Sequence, residues 1–393
     1  MHYAVPRILN DARMLTMLHT DICAVKGWPA LVRQLMPNGW QPRGLRRLMG
    51  RVPNDVPPEK IQAYTSFGWE YAKKRQAARG VAETTNVHLW AGEKFCKQII
   101  DYGLGEADAV YTFNSAGLEL LQEAKRRGLM AVMEQTIAPY RIELELLAAE
   151  QQKFPDWEQA GSSKPYASEF IDREQAEWGH ADRIVCGSEF VRQGVRNSGG
   201  PHEKCVVIPY GVDPDCHNLK RQPHDGPLRV LTIGAIGLRK GSPYVLEAAK
   251  QLKGQAIFRL VGTIGVPSKV EYILRKHLEL TGVVPRSAVH EQFAWADVFL
   301  LPSICEGSAT VVYEALAAGL PVICTPNTGS VVTDGVEGFI VPPGDILPIC
   351  DYLSILNGSR ELLHKMGEAA QITSKLHDVK AYGLRLTEAL RRD

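Results

Sequence analysis

The chain has 393 residues, more than twice a one-domain length of roughly 150, so two domains are expected. Hydrophobic residues make up 45%, charged residues 23%, and the formal net charge is +1. That balance excludes global disorder and gives no whole-chain sign of nucleic-acid binding.

Residues 1–15 read as a helix feeding a strand at 15–20. A doubly wound domain normally opens with a strand before such a helix, so either a first strand is missing or the sheet is one strand shorter. Residues 1–10 lack the apolar run of a signal peptide. Residues 26–51 carry Lys26, Arg33, Arg43, Arg46, Arg47 and Arg51 without an acid, interleaved with Trp28, Leu35, Met36, Trp40 and Met49. Such a stretch suits an anionic membrane surface, or else is a solvated excursion packed on the domain. Strands are expected at 110–113, 131–134, 183–186 and 204–208, with helices at 115–127 and 169–181. Residues 150–164, with Pro155, Trp157 and a Gly-Ser-Ser run, read as a mobile loop on a cleft rim. A Pro-, Asp- and Gly-rich joint lies at 209–223.

The second half repeats the alternation, with strands at 228–233, 256–262, 298–301 and 321–325 and helices at 242–252, 269–280 and 310–318. Alternation of this kind implies parallel sheets with crossover helices, here two doubly wound α/β domains. No apolar run reaches the roughly 18 residues of a membrane span. The eight cysteines form no C-x-x-C pair and read as buried thiols of a cytoplasmic protein. No H-x-H metal spacing stands out, and His19 and His88 read as structural.

The stretch from Leu300 to Ile323 carries the chemistry. A buried strand ends at Pro302, a loop holds Glu306, and a helix holding Glu314 begins near 308–310. Free N–H groups at a helix start suit a phosphate, and Gly307, Ser308 and Ala309 let one approach. Carboxylates before and inside the helix can bind hydroxyls on two parts of one ligand, as a nucleotide sugar provides. After the first strand of this half comes Gly234-Ala235 and then Arg239-Lys240-Gly241. Cations there would stabilise a leaving diphosphate.

These residues resemble the family-4 retaining glycosyltransferases of GT-B fold, whose E-x7-E pattern appears as Glu306 and Glu314. The resemblance is specific from about 181 to 345 and includes Pro302-Ser303, Gly319 and Pro321-Val322-Ile323. It implies two facing Rossmann-like domains, 1–209 on the acceptor side and 210–374 on the donor side, with a final helix at 375–393 crossing back. It implies that Glu306 contacts the transferred sugar, Glu314 the donor ribose, and the backbone at Ser308, Ala309, Thr310 and Val311 the diphosphate. Lys240 matches the family's cation. The usual Arg after the first Gly is Ala235 here, so Arg239 substitutes. The loop at 328–330 and the short strand near 338–341 are expected to border the nucleotide base.

The first domain departs from the family. The His usually found after the strand at 131–134 is absent, and the sequence there reads Glu134-Gln135-Thr136. Glu134 is the candidate acceptor base or cation stabiliser, and Gln135 a hydrogen-bonding partner. Asn114 and Ser115 are acceptor-side candidates, or a helix cap. The resemblance implies hexosyl transfer from a nucleotide-diphosphate sugar, with retention, to a saccharide or lipid-linked hydroxyl in polysaccharide or glycolipid synthesis. Neither metal nor cofactor is expected, and the location is cytoplasmic or at the inner membrane face. The rival readings are a nucleotide-sugar epimerase of the same architecture and a non-catalytic sugar-nucleotide binder.

Overall fold

The computed structural model describes residues 3–35, 48–158, 165–213, 219 and 224–391. Its twelve described strands form three sheets: β1 (Leu18–Thr20) with β2 (Ile61–Ala63), a four-stranded sheet and a six-stranded sheet. The four-stranded sheet runs β3 (Ala109–Phe113), β4 (Met130–Gln135), β5 (Arg183–Cys186) and β6 (Cys205–Val207) in order, all parallel. The six-stranded sheet comprises β7 (Leu228–Ile233), β8 (Ala256–Val261), β9 (Glu279–Gly282), β10 (Val298–Leu301), β11 (Val322–Cys324) and β12 (Gly338–Ile340). Its order is β12-β11-β10-β7-β8-β9, again parallel.

Parallel strands covered on both faces need continuous apolar runs, and all four residues of β10 are buried. The order reverses between β7 and β10. That switch point is where doubly wound sheets open a crevice beyond the carboxyl ends of their strands.

Three local expectations change. The helix expected at 269–280 ends at His277, and Glu279–Gly282 is instead the edge strand β9. Its half-exposed, polar sequence hides the strand from an apolar-run reading. The helix expected from 115 begins at Leu118, because Ser115 adopts a left-handed φ of 68°. The pattern reading also passed over β2 and the helices Thr65–Ala77 and Gly80–Tyr102.

Residues 150–158 are not a mobile rim loop. Phe154 and Trp157 pack into the core beside the six-stranded sheet. Tyr244 donates to buried Glu150 at 2.6 Å, and the Leu238 N–H donates to Glu158 at 2.8 Å. An amphipathic segment from the first half is thus an anchor on the second. Residues 159–164 lie outside the described residues.

The chain crosses between the halves twice. The described part of the first crossing passes Gly211 and Val212; most of the expected joint lies outside the described residues. The second leads through Asp378 into the helix Val379–Ala389. The crossings touch: Val212 N–H donates to His377 O at 3.0 Å, and Val379 N–H to Val212 O at 3.1 Å. A Cβ on Gly211 would lie 2.4 Å from Asp378 O, so only glycine fits. Tyr382 and Leu386 of that last helix share a core with Ile8 and Leu9 of the helix Ala4–Asp11, under the four-stranded sheet. Burying an aliphatic side chain contributes about 1.5–3 kcal/mol, so this cluster fastens the last helix firmly.

Candidate active site

At the switch point lies a cleft of about 460 Å³, lined by Ile233, Gly234, Lys240, Val284, Arg286, Val289, Glu306, Ser308, Ala309, Thr310, Val311 and Glu314. Most of the residues expected to hold a donor meet here, although they come from separate strand ends. Gly234 follows β7. Lys240 sits just before the helix Ser242–Gln251, on a turn closed by Gly241 at φ 68°. A Cβ on Gly241 would fall 1.9 Å from Pro302 O, so the two loops meet only because it is glycine.

That approach brings Lys240 Nζ to 2.7 Å from Glu306 Oε1, with Arg239 at 3.6 Å. Both Lys240 and Glu306 are nearly buried, while Arg239 is partly exposed. Glu306 is held by its own backbone, whose carbonyl accepts from Ala138 N–H at 3.2 Å. The helix Thr310–Ala317 starts without a side-chain cap. Its first N–H groups are therefore left for an anion in the cleft. Ser308 Oγ lies 2.8 Å from Tyr313 OH, which fixes its rotamer. Glu314 is raised above the ordinary carboxylate range by burial, which Arg286 opposes.

Gly307 and Ala235 do not line the cleft. Gly307 packs against the first half, where a Cβ would sit 2.0 Å from Thr136 O, and Ser188 Oγ donates to its carbonyl. Ala235 is exposed beside Gly234. The loop at 328–330 lies behind the cleft: Thr328 O accepts from Ala309 N–H, and Gly329 faces Gly307 and Ser188. The wall expected from that loop is made instead by Val284, Arg286 and Val289. Sequence reasoning missed these. The available signal was an Arg opening a helix, Arg286–Trp295, just past the end of an edge strand.

The first-domain candidates require correction. Glu134 points into the core beside the four-stranded sheet, accepting from Tyr111 OH and Tyr210 OH, each at 2.7 Å. It is 3% exposed, and burial raises its pKa against those two hydrogen bonds. It is therefore not placed as an acceptor base. Gln135 is fully buried. Its amide donates to Ile137 O and Glu174 and accepts from Trp178 Nε1, so nothing is left for an acceptor. Strand alternation and the turn after β4 direct both side chains inward.

Asn114 and Ser115 do lie in the turn after β3, but neither caps the following helix. Asn114 Oδ1 accepts from Thr136 N and Thr136 Oγ1 at 3.2 and 2.8 Å, tying this turn to the one after β4. Two carboxylates of the helix Ala167–His180 hold these same turns. Glu177 accepts from Ser115 N at 2.7 Å and Gly117 N at 2.9 Å. Glu174 accepts from Tyr140 N at 2.9 Å, at the start of the helix Tyr140–Lys153, and from Gln135 at 2.8 Å. Burial pushes both carboxyls up to about 7, against those N–H donors and, for Glu177, the nearby Arg173. His19 stacks with Tyr64, and burial lowers it to about 4. His88 lies against Tyr71.

The family model described as "Glycosyl transferases group 1" matches residues 218–373, the half that builds this cleft. That half resembles the group 1 glycosyl transferases. Relatives include the putative colanic acid biosynthesis glycosyltransferase WcaL of Salmonella typhimurium, 29% identical over 47% of this chain and 50% of its own. The amylovoran biosynthesis glycosyltransferase AmsK of Erwinia amylovora is 30% identical over 37% and 40%. The chain thus spans about half the length of the curated relatives it matches. HepE of Anabaena, solved with UDP, aligns over 95% of this chain and 99% of its own at TM-score 0.62 and 16% identity. Sucrose-phosphate synthase of Thermosynechococcus elongatus aligns over 76% and 77% at TM-score 0.61 and 17% identity. The overall architecture is GT-B. Among the described residues, no helix is long and apolar enough to cross a membrane.

Proposed function

We propose that the protein transfers a hexosyl unit from a nucleotide-diphosphate sugar to a hydroxyl acceptor, with retention at the anomeric carbon, in polysaccharide or glycolipid synthesis. The observation that carries this reading is the switch-point cleft, where Glu306, Lys240 and an uncapped helix start converge. Glu306 would bind hydroxyls of the transferred sugar and Glu314 those of the ribose. The N–H groups at Thr310 and Val311 would face the diphosphate, with Lys240, Arg239 and Arg286 compensating its charge. Lys240 already lies against Glu306, so it needs little rearrangement as the leaving group gains charge. Facing domains would exclude water and limit donor hydrolysis. The acceptor would be a saccharide or lipid-linked hydroxyl meeting the turns at 114–117 and 136–138, on the inner face of a membrane.

An epimerase would need an acid–base group from the first domain acting on the donor sugar, and the burial of Glu134 and Gln135 speaks against that reading. The test is a thermal-shift screen of UDP-, GDP- and ADP-sugars followed by a transfer assay. HepE was solved with UDP and UDP-glucose, so UDP-sugars come first. One donor class should raise the melting temperature, since a ligand bound only by the native state stabilises it. Glu306→Ala and Lys240→Ala should each abolish transfer; transfer surviving in both would overturn the site assignment.

A further inference from the structure

The helix Gly27–Leu35 buries only Pro29 among its residues. Its large apolar side chains point outward instead: Trp28 is 39% exposed, Leu31 60% and Leu35 81%. Their spacing puts all three on one face. Beside them, Trp69 of the helix Thr65–Ala77 is 50% exposed and meets Trp28 edge-on, with ring centroids 5.9 Å apart. Exposed apolar residues scattered singly need no explanation, but four on one contiguous face do.

The surrounding charge identifies the occupant. Residues 26–51 contain no acid, and Arg33 lies exposed on the first helix. The second helix offers exposed Lys73, while Lys74 and Arg75 lie over the rings of Trp90 and Tyr71, and its one acid, Glu70, is paired with Lys94 at 2.6 Å. Lys73 Nζ stands 5.5 Å from the centre of the Trp69 ring. Exposed tryptophans with a lysine beside them match the boundary between anionic headgroups and acyl chains.

We propose that these two helices dock the protein on an anionic lipid surface. Trp28, Leu31, Leu35 and Trp69 enter the headgroup boundary, and Lys73 beside Trp69 meets lipid phosphates. The face also connects to the acceptor side. Phe67 of the second helix stacks on Phe95 of the helix Gly80–Tyr102 at 5.4 Å. That helix meets the acceptor turn so closely that a Cβ on Gly92 would lie 2.7 Å from Ser115 O. A docked protein therefore holds that turn two helices from the membrane, within reach of a lipid-borne hydroxyl. The last step rests on the transferase reading, while docking itself is measured without donor, so each can fail separately.

The experiment is co-sedimentation of the full chain with vesicles of phosphatidylcholine alone and of phosphatidylcholine with 30% phosphatidylglycerol, a composition chosen at about physiological anionic content. Binding is expected only to the anionic vesicles, weakening with salt. Lys73→Gln should lower the partition coefficient about five-fold. Leu31→Gln/Leu35→Gln should abolish binding while leaving the melting temperature unchanged, since both side chains are already exposed. No binding to anionic vesicles, equal binding to both vesicle types, or full binding by the leucine variant would each overturn the proposal. So would a dimer in lipid-free buffer that the leucine variant dissolves, since a second copy would then be the occupant.

Discussion

Glu177→Gln is the sharpest test of how the turns after β3 and β4 are held. Each carboxylate oxygen of Glu177 accepts one backbone N–H, from Gly117 on Oε1 and Ser115 on Oε2. The side chain is fully buried, so water offers no replacement. A glutamine has the same size but one oxygen and one NH2 group. Whichever way the amide turns, one backbone N–H faces another donor. Leaving a buried donor unpaired costs about 1–3 kcal/mol. For a unit of roughly 200 residues, about 2 kcal/mol lowers the melting temperature by roughly 4–8 °C. Differential scanning calorimetry of wild type and variant reads this directly, and the exposed Glu189→Gln serves as the control. A Glu177→Gln protein that melts within about 1 °C of wild type would refute the reasoning. It would mean that the two N–H groups find other partners and that Glu177 does not organise the turn.

Two further outcomes follow from the same contacts. Glu174 and Glu177 titrate near 7 in the folded protein, above the ordinary carboxylate value of 4.5. The folded state then holds protons that the unfolded chain has released, so their contribution is full below about pH 4.5 and is lost as pH rises through 7. Urea midpoints should therefore show a downward component from pH 5 to 7.5, which Glu174→Gln/Glu177→Gln removes; an identical slope in the variant would refute it. Gly307→Ala places a Cβ against Thr136 O and Ile137 and disrupts the bonds from Ala138 and Ser188. Overpacking of this kind costs about 1–3 kcal/mol. Because the clash lies between halves, the radius of gyration in small-angle scattering should rise as transfer falls, whereas an unchanged radius with full transfer would show that the halves do not close there.

The second half was legible because its signals are local. Short, mostly apolar stretches of four to six residues mark β7, β8 and β10, and the glycines and cations of the cleft sit within a few residues of the strand ends that carry them. The edge strand β9 escaped because an edge needs no apolar run, and Arg286 escaped with it. In the first half, Glu134 and Gln135 were misplaced because adjacency to a strand end does not say which way a side chain turns. The tyrosines that claim Glu134 stand 23 and 76 residues away along the chain, and no local pattern announces them. Glu174 and Glu177 went unnoticed for the opposite reason: two acids one turn apart on a helix look like a solvated face until the loops that cover them are seen.

The paired crossings at Gly211–Val212 and His377–Val379 have a mechanical consequence. A single linker lets two bodies swivel in every direction. Two linkers laid side by side and hydrogen-bonded to each other act as a flat strap, stiff to torsion and soft only to folding along one line. Any parting of the halves would thereby be guided toward a swing about that line. Glu306 and the turn at Thr136–Ala138 would then part and meet again in the same register, rather than having to find each other by a rotational search.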